Sequence, residues 1–228
     1  MQLRLLPLEK EKIQKLKELK QKDFYLISDT HFFDTKIDVH EPARRRYAYD
    51  GYNSMEDWLI DRWNRTVGKH DFVLHLGDFA FEEADEISIK EVLNKLHGRK
   101  FLILGDQDSK EFMFYKQHFD FVVEKAFIYA EINGQYWKIP TGFEKASGLI
   151  LETSAGRVLF SHYPIEPVER TFLPHIMALK KVFEQTKCVL NIHGHLHSRE
   201  VKNRRCINVS VEKISFRPIK LSELLKTV

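Results

Sequence analysis

Five apolar runs in this chain each end in side chains of the kind that bind metal ions. Phe24 to Ser28 leads into Asp29-Thr30-His31, and Val73 to Leu76 leads into Gly77-Asp78. Leu102 to Leu104 leads into Gly105-Asp106-Gln107-Asp108. Val158 to Ser161 leads into His162-Tyr163-Pro164, and Leu190 to His193 leads into Gly194-His195-Leu196-His197. Carboxylate oxygens and neutral imidazole nitrogens suit zinc, manganese, iron and nickel. Two such cations about 4 Å apart can hold a phosphate, supply a nucleophile near neutral pH and stabilise a leaving oxygen. A pair of cations needs a bridging carboxylate, and Asp78 is the candidate. Gly77, Gly105 and Gly194 let the backbone turn sharply beside these residues. Singly, each motif is weak, because Asp-x-His recurs by chance and a lone histidine such as His162 is more often core or surface. The ordered set of five, each closing an apolar run, carries the reading.

These residues must be positioned by the elements between them. Residues Leu8 to Gln21 have the spacing of an amphipathic helix, with Leu8, Ile13, Leu16 and Leu19 on one face. That face either packs on the domain or meets a partner, a second copy included. Phe24–Ser28, Phe72–Leu76 and Phe101–Leu104 read as buried strands. A helix starting at Ser54, capped with Asp57, separates the first two, and a helix over Ile87–Leu96 that stops at Gly98 separates the next. Alternation of this kind predicts a parallel sheet, with ligands outside the carboxyl ends of its strands. The second half is richer in strand: Phe121–Ile132, Gly148–Thr153 and Arg157–Ser161, with turns at Asn133-Gly134 and Ala155-Gly156. Pro174–Gln185 reads as a helix, Val189–Ile192 as a buried strand, and Cys206–Val211 and Ser215–Ile219 as closing strands.

Composition sets the frame. The chain has 228 residues, 43% hydrophobic and 30% charged, which fits one globular α/β domain. A net charge of +3 gives little support to a nucleic-acid groove. Two cysteines, Cys188 and Cys206, lack metal-ligand spacing and fit a reducing compartment. No signal peptide and no membrane-length apolar run are visible, so a cytoplasmic protein without a membrane partner is expected.

The five motifs resemble the calcineurin-like metallophosphoesterase superfamily, whose signature runs Asp-x-His, Gly-Asp, Gly-Asn-His-Asp/Glu, His, Gly-His-x-His. The resemblance spans Phe24 to about Ile219. Met55, Trp63, Asn64 and Leu76-Gly77-Asp78-Phe79 further resemble a branch of small bacterial and phage members. It implies an α/β fold, a four-layer α-β-β-α sandwich with two mixed β-sheets flanked by helices. Residues 1–22 would form an N-terminal helical segment and residues 23–228 the metallophosphoesterase domain. One divalent metal would be held by Asp29, His31, Asp78 and His197, and a second by Asp78, Asp106, His162 and His195. A metal-bridging hydroxide would attack phosphorus in line with the leaving group of a small, nucleotide-like phosphorylated substrate, with no phosphoenzyme.

The third motif departs from the pattern. Asp106 stands where the family has Asn, so three carboxylates face two divalent cations and one formal positive charge remains. That site should hold metal more tightly and attract phosphate less. Gln107 stands where the family has a histidine that assists the leaving group. Glutamine donates a hydrogen bond but transfers no proton, and general acid help is worth roughly 10²–10⁴-fold. Slow turnover, or leaving groups of the aryl or pyrophosphate kind, is therefore expected, and a metal-binding scaffold with little catalysis is the alternative. Asp108 could supply the proton or orient its loop. Arg44, Arg45 and Arg46 form a basic run. Together with Arg199 they offer either phosphate recognition or a solvated surface. His75 and His193 read as structural, Tyr163 and Pro164 as loop-shaping, and Trp137 and Phe143 as core in a loop-rich segment.

Overall fold

Val73, Leu74, Phe101 and Leu102 are essentially excluded from solvent. Strands this apolar need cover on both faces. The computed structural model describes residues 3–167 and 173–227, and supplies that cover in four layers. The first half holds β1 (Leu6–Pro7), α1 (Lys10–Lys20), β2 (Tyr25–Ile27), α2 (Ile37–His40), α3 (Arg46–Tyr49) and α4 (Met55–Thr66). It continues through β3 (Phe72–His75), α5 (Glu86–Lys95), β4 (Arg99–Leu102), α6 (Phe112–His118) and β5 (Phe121–Val122). The second half holds β6 (Phe127–Ile132), β7 (Gln135–Pro140), β8 (Gly148–Thr153), β9 (Gly156–Ser161), α7 (Leu173–Gln185), β10 (Leu190–His193), β11 (Cys206–Asn208), β12 (Ile219–Lys220) and α8 (Leu221–Leu225).

One sheet has the order β12-β2-β3-β4-β5, with β2 to β5 parallel and β12 antiparallel at its edge. The other has the order β1-β7-β6-β8-β9-β10-β11 and is also mixed, with β9, β10 and β11 parallel. Side chains of the second sheet alternate as the pleat requires. Leu149, Leu151, Val158 and Phe160 join the core shared with the first sheet, whereas Ile150 and Leu159 pack with Leu179 and Phe183 of α7. Trp58, Leu59 and Trp63 of α4 and Ile89, Val92 and Leu93 of α5 belong to the same core as the first sheet. This is the expected α-β-β-α sandwich with two mixed sheets.

Helix α1 buries Leu16 and Leu19 against this body, and Lys12, Glu18 and Lys20 pair with Glu124, Arg99 and Glu131. Residues 1 and 2 of the N-terminal segment lie outside the described residues. Helix α4 begins where the sequence places it: the Ser54 hydroxyl accepts the Asp57 N–H at 3.1 Å. Among the described residues no helix is long and apolar enough to cross a membrane.

Three expectations are corrected. Phe121–Ile132 is two strands in different sheets, because the chain crosses the sandwich at residues 123–126 and Ala126 takes φ 65° to make the bend. The segment holding Trp137 is not loop but β7. Asn133 (φ 53°) and Gly134 (φ 73°) form the hairpin turn, and Trp137 pairs with Ala130 on one side and Pro7 on the other. A half-exposed burial pattern along β7 hides the strand period. Ser215–Ile219 is mostly turn, since Ser215 and Phe216 sit at φ 57° and 56° and only Ile219 and Lys220 pair with β2.

Candidate metal centre

The carboxyl ends of β2, β3 and β4 are level, with Ile27 beside His75 and His75 beside Leu102. Those of β9 and β10 are level too, with Ser161 beside His193. The five loops leaving these ends converge. Asp78, Asp106, His162 and His195 form one group of ligand atoms, and Asp29, His31 and His197 another, each group lying within 4.8 Å. All seven residues named from the sequence as metal ligands are thus brought together.

Asp78 links the two groups. Its Oδ2 lies 3.4 Å from His31 Nε2 and 3.5 Å from His162 Nε2. Asp106 Oδ1 lies 3.1 Å from His162 Nε2 and 3.2 Å from His195 Nδ1. Both ring nitrogens of His31 are buried without a hydrogen-bond partner, a costly state for a polar group unless a ligand claims it. Three carboxylates and four imidazoles gathered at the ends of strands fit two divalent cations.

The backbone is bent to bring these atoms inward. Asp29 (φ 59°), His31 (47°), Asp78 (53°), His195 (66°) and His197 (50°) all occupy the left-handed region. Non-glycine residues reach it at a cost, and such residues cluster at functional sites. The glycines serve two different purposes. Gly77, at φ +102°, is needed for the turn. Gly105 and Gly194 are needed for space: a Cβ would stand 2.1 Å from Asp78 Oδ1 at Gly105 and 1.9 Å from Ser28 Oγ at Gly194.

A shell of fixed partners orients the ligands. Asp108 is fully enclosed, and its carboxylate accepts the N–H groups of Asp78, Gly105 and Phe79 at 2.8, 2.8 and 3.0 Å. Burial and the Asp78 charge push its pKa up to about 6, against those donors. This places Asp108 as the clasp between two ligand loops. The His162 Nδ1–H faces the Leu76 carbonyl at 2.9 Å, which turns Nε2 toward Asp106 Oδ1 at 3.1 Å. Asp29 accepts the His195 N–H and the Ser210 hydroxyl, at 2.9 Å each on Oδ2. Tyr163, read from sequence as loop-shaping, also donates its hydroxyl to Asp106 at 3.2 Å.

Burial alone would lower the histidine pKa values, but the surrounding carboxylates prevail. His31 is pushed up to about 9 by Asp34 and Asp78, and His162 up to about 10 by Asp78, Asp106 and Asp29. His75 and His193 go the other way, to about 3 and about 4, because burial dominates. Neither is among the clustered residues that could hold a metal. His75 Nε2 meets the Thr30 hydroxyl at 3.0 Å while its Nδ1 accepts the Gly77 N–H.

The basic residues sort differently from one another. Arg44 is wholly buried and donates to the Asp29 and Thr30 carbonyls at 2.5 and 2.9 Å, bracing the first ligand loop. It also pairs at 2.6 Å with Glu212, whose Oε1 is 3.3 Å from His197 Nδ1. Glu212 was not singled out from the sequence. Arg45 and Arg46 are exposed and pair with Asp38 and Asp50 at 3.2 and 3.5 Å. Arg199 is exposed just beyond His197. Phe143 is 41% exposed, and its ring meets His175 edge-on. Gln107 donates its N–H to Asp78 Oδ1 at 2.9 Å and turns its amide toward Asp106 at 3.4 Å.

Known proteins resemble this chain in sequence or in fold. An uncharacterized protein of Methanocaldococcus jannaschii, MJ1445, is 24% identical over 220 residues, covering 92% of this chain and 93% of its own. The crystal structure of AQ665 from Aquifex aeolicus, of unknown function, superposes with a TM-score of 0.66 at 25% identity, covering 90% and 98% of the two chains. A structure described as a novel archaeal phosphodiesterase gives a TM-score of 0.35 at 16% identity over 81% of each chain. The calcineurin-like phosphoesterase family model matches residues 22–199, the stretch that supplies every one of the seven clustered ligands. With that match over the ligand loops and the sandwich that carries them, the chain belongs to the calcineurin-like phosphoesterase family.

Proposed function

We propose that this protein is a metal-dependent phosphoesterase that hydrolyses small phosphorylated compounds at a two-cation centre. The observation that carries the reading is the place of Asp78, whose one oxygen faces both histidine groups at 3.4 and 3.5 Å. Divalent cations there would polarise a phosphoryl oxygen and bring a water nucleophile into use near neutral pH. The chain's own residues do the rest. Asp29, His31 and His197 would hold one cation, and Asp106, His162 and His195 the other, with Asp78 between them. Asp108 keeps Asp78 in place through the backbone, and Gln107 presents an amide that can hydrogen-bond a phosphoryl or leaving oxygen. Manganese, iron, zinc and nickel all suit these nitrogen and oxygen donors.

Hydrolysis of bis-p-nitrophenyl phosphate with added Mn²⁺ tests the reading. Activity is expected in the parent chain and a loss of at least about 100-fold in Asp78→Asn, given what removal of electrostatic stabilisation costs. Gln107→His should raise the rate on substrates with poor leaving groups by about 10²-fold. Bound metal with no hydrolysis of any phosphoester would instead favour a metal-binding scaffold, the reading to which Gln107 lends its support.

A further inference from the structure

The edge strands of the two sheets, β11 and β12, border one open groove of about 850 Å³. All three residues of β11 line it, and Ile207, Ile214, Ile219 and Leu224 give it an aliphatic floor. Arg204 and Arg217 stand exposed at its rim. Lys213 beside them is engaged by Glu200, and Glu223 of α8 is the opposing carboxylate. Residues 199–220 carry seven cations and two carboxylates, one of which, Glu212, is buried in its pair with Arg44. That stretch has a net charge of +5 in a chain whose total is +3. The basic excess that looks thinly spread in composition is therefore gathered here.

Strand β11 also has hydrogen-bonding capacity to spare. The Asn191 N–H donates to the Arg205 carbonyl at 2.7 Å, and the Val209 N–H to the His193 carbonyl at 2.8 Å. In the parallel register with β10 this turns both backbone groups of Ile207 toward β10. The carbonyl of Cys206 and both backbone groups of Asn208 therefore point away from β10, at the open edge. Such an edge is a template for another strand. A strand added there would carry alternate side chains on opposite faces, one set over the aliphatic floor and the other toward the arginines. The bases of a nucleic acid would instead call for aromatic rings to stack on. Among the described residues no phenylalanine, tyrosine or tryptophan lines the groove.

We propose that this groove docks an extended segment of a partner protein, with aliphatic and acidic side chains in alternation, which adds to β11 as a further strand. Backbone hydrogen bonds to Cys206 and Asn208 supply the affinity, and the aliphatic floor with Arg204 and Arg217 supplies the selectivity. None of the seven clustered ligands lines the groove. The inference therefore stands whether or not the centre hydrolyses phosphoesters.

Fluorescence anisotropy of the full chain with the peptide fluorescein-Glu-Val-Glu-Ile-Glu-Val-Glu-amide tests the proposal. Binding is expected, and the same peptide with Lys in place of Glu should bind at least about tenfold more weakly. Arg204→Glu combined with Arg217→Glu should weaken the acidic peptide by about tenfold, as reversal of two exposed charges would. Lys90→Glu combined with Lys95→Glu makes the same change of charge at exposed positions of α5 and should leave binding unchanged. The acidic peptide N-methylated throughout keeps its side chains but lacks backbone donors, and should not bind. Asn208 is left unaltered, because its amide donates to the carbonyls of His197 and Arg199. No binding of the acidic peptide, an equal loss in both double variants, or full binding of the N-methylated peptide would overturn the proposal. So would tighter binding of oligothymidylate at the same arginines, which would assign the groove to nucleic acid. A dimer in sedimentation that the arginine changes dissociate would assign it to a second copy and overturn the proposal equally.

Discussion

At the scale of residues, the centre is a set of ligands held by partners that keep their lone pairs pointed inward. Two of those partners give separable outcomes. Glu212→Gln should weaken Mn²⁺ binding to the group with His197 by about 10–100-fold, and Tyr163→Phe should do the same to the group with Asp106. Titration against a chelator would resolve the two sites. The histidine pKa values set a pH dependence. His31 and His162 are raised to about 9 and about 10, so both carry a proton at pH 7 in the metal-free chain. Binding requires neutral imidazole and must release that proton. Apparent Mn²⁺ affinity should therefore rise by about tenfold per pH unit per site from pH 7 toward pH 9, and calorimetry in buffers of different ionisation enthalpy should record proton release. The seven clustered residues were legible in the sequence because each lies just beyond an apolar run. Glu212 was not, because its partners Arg44 and His197 stand 168 and 15 residues away. Only the folded chain shows that they meet. Arg44 looked like its neighbours Arg45 and Arg46, and nothing in a run of three arginines marks the one that is wholly buried.

At the scale of elements, five strand ends act as a frame and the glycines set how closely their loops approach. Gly105 is the sharpest case, since an added Cβ would meet Asp78 Oδ1 at 2.1 Å and the Asp78 nitrogen at 2.5 Å. Gly105→Ala should displace the bridging carboxylate, with a cost to stability of about 1–3 kcal/mol and loss of the second bound Mn²⁺. Urea unfolding with metal analysis checks both. The first-half elements were legible because their periods were plain: β3 and β4 are apolar runs, and α4 carries a capped helical stripe. Strand β7 was hidden by its half-exposed burial pattern, and the 121–132 run concealed a change of sheet because both halves are apolar.

At the scale of the whole molecule, two mixed sheets bring loops from residues 29 to 197 to one place, although the sequence alone gave only their order. The sandwich was implied by the resemblance, and the level strand ends explain why it works. The most direct measurement is anomalous diffraction from crystals soaked in Mn²⁺. The account predicts two peaks about 4 Å apart, on either side of Asp78, one among Asp29, His31 and His197 and the other among Asp106, His162 and His195. A single peak, or two peaks that do not share Asp78, would contradict it.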